Sequence, residues 1–184
     1  IASGLILKDA SAYNVQFIGT RPVFIDTLSF KVYEPGEAWA GYRQFCQHFL
    51  APLALASYLG HELHQLLRLY IDGIPLPLAS QMLPKKSWLR PGLAAHIHAH
   101  ARSIQSHEET GDKVASKQAG TVSQNALLAI VDSLKSNVAK LAAADEKSAW
   151  ADYENTRNYS DGDAQAKHQI VGACLERLQP HTVW

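Results

Sequence analysis

Residues Leu7 to Phe30 read LKDASAYNVQFIGTRPVFIDTLSF. Val15 to Ile18 and Pro22 to Ile25 alternate apolar and polar residues and read as two strands. Gly19-Thr20-Arg21 between them is a hairpin turn, with glycine available for positive φ. Two carboxylates and a carboxamide, Asp9, Asn14 and Asp26, stand around this hairpin. Asp and Asn are also turn and cap residues, so their types alone do not decide between structure and chemistry.

Outward from the hairpin the patterns are helical. Ala2 to Asp9 is short and mostly apolar, suited to a helix end or a buried strand. Thr27 to Gly36 reads as an irregular loop closing at Glu34-Pro35-Gly36. Trp39, Tyr42, Arg43, Cys46, Phe49, Leu50 and Leu53 then recur at three- and four-residue steps, which predicts a long helix kinked or divided at Pro52. His61 to Tyr70 is a second helical pattern. IDGIPLPLASQML carries a turn and a short helix, and Pro91-Gly92 opens an Ala- and His-rich helix. Glu108 to Gly120 is polar, with two glycines, and reads as a linker. Ser123 caps a helix whose Leu127, Val131, Leu134, Val138 and Leu141 share a face. A turn-rich stretch, DYENTRNYSDGD, leads to a last helix, AQAKHQIVGACLERL, ended by Pro180. The expected class is mainly α with one small β-hairpin near the N-terminus.

Composition sets the partners. Lys+Arg and Asp+Glu number 17 each in 184 residues, so the basic footprint of a nucleic-acid binder is missing. The longest apolar run, FCQHFLAPLALASYL, is too short to span a bilayer, so no membrane partner is expected. Cys46 and Cys174 are far apart and read as reduced, which suits the cytoplasm. The abrupt start IASG and the closing PHTVW read as cuts in a longer protein. Its remainder on both sides is the expected partner, and the oligomeric state is not legible.

Phosphoryl transfer needs one carboxylate to orient the acceptor hydroxyl, and an amide oxygen with a second carboxylate to hold Mg²⁺. The spacing Asp-x₄-Asn, strand, turn, strand, Asp resembles the catalytic loop and hairpin of kinase-like proteins. RPVFID resembles the aminoglycoside-phosphotransferase branch, since no Gly follows Asp26. The resemblance implies Asp9 as the catalytic residue, Asn14 and Asp26 as metal ligands, Mg²⁺ as the ion, and a kinase-like C-lobe fragment over residues 1–107. It departs at Leu7, where His is usual, and no small lobe precedes Ile1 in this sequence.

A second resemblance spans more of the chain. LKDASAYNVQF, GTRPVFIDTLSF, YRQFCQHFLAPLAL and IDGIPLPLAS are together similar to a group of bacterial proteins related to nodulation proteins. That group carries a class I S-adenosylmethionine-dependent methyltransferase domain at the C-terminus. WADYENTRNYSDGDAQAKHQIVGACLERLQPHTVW resembles the helix that leads into such a domain. The resemblance implies three regions: a kinase-like helical region over residues 1–107, a linker or loop over 108–122, and a helical lead-in over 123–184 to a truncated methyltransferase domain. It implies S-adenosylmethionine as the cofactor of the parent protein and none in this piece, because the Gly-rich turn such a site needs is nowhere in the sequence. The chain alone is then expected to be inactive. The rivals are a phosphotransferase lobe using Asp9, Asn14 and Asp26, and a helical protein-interaction module.

The remaining motif is HIHAH. On a helix His96 and His100 share a face and His98 points away. A helical His pair suits Zn²⁺ only with a third ligand, and no Glu or Cys is placed nearby in sequence. Partly buried polar residues on an Ala-rich helix are the expected reading, and His48, His61 and His64 have the same one. Cys46 and His48, two apart on a helix, do not face each other as nucleophile and base would.

Overall fold

The computed structural model describes residues 3–110, 121–141 and 160–183. The chain divides into two compact units, residues 1–144 and 145–184. Most of the 108–122 linker and the DYENTRNY portion of the turn-rich stretch lie outside the described residues.

The hairpin is present. Strands β2 (Val15–Ile18) and β3 (Arg21–Phe24) pair antiparallel, with Ile18 opposite Arg21. The turn is therefore Gly19-Thr20 alone, and Gly19 takes φ +61. A second ribbon joins the segments on either side of it. Strand β1 (Leu5–Leu7) pairs antiparallel with β4 (Phe30–Val32), Leu7 opposite Phe30. The apolar segment before Asp9 is thus a strand. The expected loop after Asp26 is a single 3-10 turn (Thr27–Ser29) followed by β4. Periodicity misses strands of three residues because each shows barely one repeat.

The helical segments of the first unit fall close to where the spacing places them. Helix α1 (Tyr42–Phe45) continues through a π-helical turn (Cys46–Leu50) into α2 (Ala51–Leu59). Pro52 explains how this helix is completed. In the π turn the Ala51 N–H reaches back five residues to the Cys46 carbonyl. The same register would give Gln47 the N–H of Pro52, which proline lacks. The Gln47 carbonyl instead accepts the N–H of Ile74 at 3.0 Å. A buried carbonyl must find a partner, and this one ties the Asp72-Gly73 turn onto the helix.

His61–Gln65 forms a 3-10 turn leading into α3 (Leu66–Leu69), and α4 (Leu76–Met82) follows the two prolines. A 3-10 turn (Lys85–Leu89) precedes α5 (Pro91–Leu93), which runs through a π-helical stretch (Ala94–Ala99) into α6 (His100–Thr110). Helix α7 (Gln124–Ala139) starts at Ser123, whose side chain accepts the Ala126 N–H. The core of this unit is aliphatic: Leu50, Leu55, Ile74, Leu76, Leu93, Ile97 and Leu134 have 2% exposure or less. Of the α7 stripe, Leu127 and Leu134 are buried, while Val131 remains exposed, as does Leu128 beside the stripe. These two border an apolar groove of about 460 Å³ shared with β1, Phe30, Trp39 and Phe45.

In the second unit α8 (Asp161–Leu178) starts three residues earlier than its apolar residues suggest. Ser160 and Asp163 form a reciprocal capping box there. It ends at Gln179, in the left-handed conformation at φ 44, just before Pro180. No helix among the described residues is long and apolar enough to cross a membrane.

Candidate functional site

Asp9, Asn14 and Asp26 are gathered around one buried residue, Ser29, which is 1% exposed. Asn14 Nδ2 donates to Ser29 Oγ at 2.9 Å, and Ser29 Oγ donates to Asp26 Oδ2 at 2.7 Å. The Ser29 carbonyl accepts the N–H groups of Lys8 at 2.8 Å and Asp9 at 3.3 Å. The Asn14 carbonyl accepts the Ile25 N–H at 2.9 Å, closing the base of the hairpin. Asn14 and Asp26 are distant in sequence and adjacent in space, because the hairpin returns the chain to its starting point.

Each acidic group also has a local task. Asp26 Oδ1 accepts the Leu28 N–H at 2.9 Å and caps the 3-10 turn. Asp9 Oδ1 accepts the Ser11 N–H at 3.1 Å and the Gln44 amide at 2.7 Å. Gln44 Oε1 in turn accepts the Ala10 N–H at 2.7 Å. Asp9 Oδ2 and Asn14 Oδ1 take no hydrogen bond among the described residues. Both oxygens of Asp26 are engaged, so Asp26→Asn, which charge repulsion alone would suggest to be harmless, removes an acceptor that the Ser29 hydroxyl uses.

His48 supports the same loop from the helix behind it. Its Nδ1 accepts the Ala12 N–H at 3.3 Å. Burial holds its pKa below the usual histidine value, against a backbone hydrogen bond with Asp72 and the charges of Asp9 and Asp72. Gly41 allows a close approach nearby. A Cβ there would lie 2.9 Å from Trp39 Nε1 and 3.1 Å from the Leu7 carbonyl, and that indole donates to this carbonyl at 2.6 Å.

Sequence reasoning named Asp9, Asn14 and Asp26 and missed Ser29 and Gln44. Ser29 carried a signal, since Asp-x-x-Ser is a capping spacing. Gln44, 35 positions from Asp9, carried none.

The HIHAH histidines are separated in their roles. His96 Nδ1 meets the Tyr42 hydroxyl and Nε2 meets Ser133 Oγ, each at 2.8 Å. His100 stacks on the Tyr42 ring with centroids 5.1 Å apart, so His96 and His100 do share a face. His98, with 0% exposure, lies between Ser80 Oγ at 2.7 Å and Ser87 Oγ at 2.8 Å, and stacks on Trp88. Burial lowers the pKa of all three. No cluster of three His, Cys, Asp or Glu among the described residues is arranged to hold a metal ion. Cys46 is a buried free thiol, its pKa pushed up to about 12 by burial, and Cys174 is exposed and free.

The fold is a mainly α assembly with two small antiparallel ribbons formed by the N-terminal strands. No family model matches the sequence, and no solved structure matches it. The chain is similar to the nodulation protein NoeA of Rhizobium meliloti (strain 1021), with 33% identity over 183 residues. The match covers 98% of this chain and 38% of the length of that protein.

Proposed function

We propose that this chain is the helical, kinase-like region of a longer, NoeA-like methyltransferase protein, and that it acts as a non-catalytic scaffold in the cytoplasm. The observation that supports the scaffold reading is the Ser29 network. Asp26 is spent on the Leu28 N–H and the Ser29 hydroxyl, and the Asn14 amide N–H on Ser29 Oγ, in capping and bracing roles that need no substrate. The similarity to NoeA over nearly the whole chain supports the kinship. The methyltransferase assignment rests on the sequence resemblance, and the two free thiols suit a reducing compartment. S-adenosylmethionine belongs to the parent protein in this reading, because a methyl-donor site needs a Gly-rich strand-to-helix turn that this sequence lacks.

Calorimetric titration of the chain with S-adenosylmethionine should give no saturable heat at micromolar donor. Saturable binding would mean that the cofactor site lies within these residues and that the scaffold reading fails.

A second reading, phosphotransfer, is favoured by the closeness of Asn14 and Asp26, joined through Ser29, and by Asp9 Oδ2, which takes no hydrogen bond among the described residues. In it Asp9 orients the acceptor hydroxyl, while Asn14 Oδ1 and Asp26 hold Mg²⁺. Two protein oxygens are too few to bind Mg²⁺ by themselves, so the ion would have to arrive on nucleotide phosphates. The expected result is a melting temperature unchanged by millimolar Mg²⁺·ATP. Asp26→Asn should cost about 1 kcal/mol, the size of one hydrogen bond, with or without the nucleotide. A strong rise in melting temperature with Mg²⁺·ATP that disappears in Asp26→Asn would make phosphotransfer the leading function.

A further inference from the structure

A cleft of about 650 Å³ lies between the start of α5 and the last turns of α7, away from the Ser29 network. Leu89, Pro91 and Gly92 line one side, with Arg90. Ser133, Ser136, Asn137 and Lys140 line the other. Its volume is in the range of small-molecule sites. Its chemistry is one-sided: two cations, two hydroxyls and a carboxamide, with no Asp or Glu in the lining. Neither cation has a carboxylate partner among the described residues, where the ion pair is Lys31 with Glu37.

We infer that this cleft binds the phosphoryl group of a small organic phosphate, held by Arg90, Lys140 and the hydroxyl of Ser133. Arg90 is already positioned. Its Nη1 donates to the Lys140 carbonyl at 3.1 Å, and its guanidinium lies 5.7 Å from the centre of the Tyr58 ring. Its remaining N–H groups are left for a ligand, and a guanidinium fork matches phosphate oxygens. The carbonyls at the end of α7 would repel an anion, but three of them are hydrogen-bonded. Lys140 N–H serves those of Asn137 and Val138, and Arg90 serves that of Lys140.

The interior adds a directed donor. A Tyr42 hydroxyl donating to His96 Nδ1 leaves the proton on Nε2, which donates to Ser133 Oγ. In that tautomer Ser133 accepts from His96 and keeps its own hydrogen to donate into the cleft. Asn137, whose Nδ2 donates to the Ser133 carbonyl at 2.7 Å, is fixed beside it. Gly92 lets Asn137 pack against the start of α5, because a Cβ there would overlap the Asn137 side chain.

The test is titration of the full chain with inorganic phosphate and with glucose 6-phosphate, following histidine side-chain ¹⁵N resonances. Both should shift the His96 signals saturably at millimolar concentration, and glucose should not. In the free protein His96 should show the Nε2–H form. Lys140→Gln, a change at an exposed position, should weaken binding about tenfold, as should Arg90→Gln, in line with loss of one charge-assisted hydrogen bond. Binding in Lys140→Gln and Arg90→Gln as tight as in the parent would overturn the assignment. So would equal shifts at all histidines, or none at His96. A stronger effect of glucose 6-phosphate than of inorganic phosphate would show that the organic body also occupies the cleft. An equal effect of the two would show that it does not and would overturn the organic portion of the assignment.

Discussion

Between about pH 7.5 and about pH 5.5 the first unit is expected to lose stability steeply, measured as the free energy of urea unfolding across the range. His48, His96, His98 and His100 have pKa values lowered from 6.5 on folding, burial being the leading cause for each. Arg102 adds to the effect at His98 and Arg43 at His100, while Asp9 and Asp72 oppose it at His48. The sign follows from proton counting. As pH falls through 6.5 the unfolded chain takes up these protons before the folded chain does, so folding becomes less favourable. The stability that depends on the neutral rings is present above pH 6.5 and is lost as pH falls toward the folded pKa values. Each histidine contributes a slope of at most about 1.4 kcal/mol per pH unit, so four set a ceiling of about 5. Domains have about 5–15 kcal/mol in total, so a marked loss of stability within this window is the expected outcome. Glu37 and Asp163, whose pKa values are lowered by hydrogen bonds, lose their contributions only below the carboxylate range, outside it. His98→Gln should lower the slope by about one histidine's share whatever it does to the absolute stability. A stability flat across the window would mean that these rings are hydrated.

The histidines also show what a sequence can reveal. HIHAH announced buried polar groups, and the helical period placed His96 and His100 together. It said nothing of Ser80, Ser87 or Ser133, because hydroxyl partners 11 to 37 positions away leave no local pattern. The same division runs through the fold. Helix starts at Pro91 and Ser123 were legible because caps and prolines act within one turn. The hairpin was legible because Gly19 and the alternation are local. The β1–β4 ribbon was not, since its two short strands find each other only after the hairpin has brought Asp26 back to Asn14. At the candidate site the sequence displayed three polar residues at a chemically suggestive spacing. The structure adds that Ser29 and Gln44 already hold them.

Gly73→Ala is expected to destabilise the first unit by about 3 kcal/mol, the sum of left-handed strain and overpacking. Gly73 has φ +92, and a Cβ there would lie 2.7 Å from Gln47 Cβ, 2.8 Å from His48 Cδ2 and 3.1 Å from the Gln47 carbonyl carbon. Two of these atoms belong to a helix that cannot yield without moving, so the turn must lift. Lifting it stretches the 3.0 Å bond from Ile74 N–H to the Gln47 carbonyl and leaves that carbonyl without the partner Pro52 cannot supply. It also withdraws Ile74 from the core and loosens the contact between Asp72 and His48. His48 accepts the Ala12 N–H, so the disturbance reaches the Asp9 loop through one side chain. Hydrogen exchange should therefore quicken at Ala12 and Ile74 in Gly73→Ala, while Ala126, whose N–H is capped by Ser123, keeps its protection relative to global unfolding. Unchanged exchange at Ala12 would show that the loop carrying Asp9 is held by Gln44 and Ser29 and is indifferent to the turn behind it.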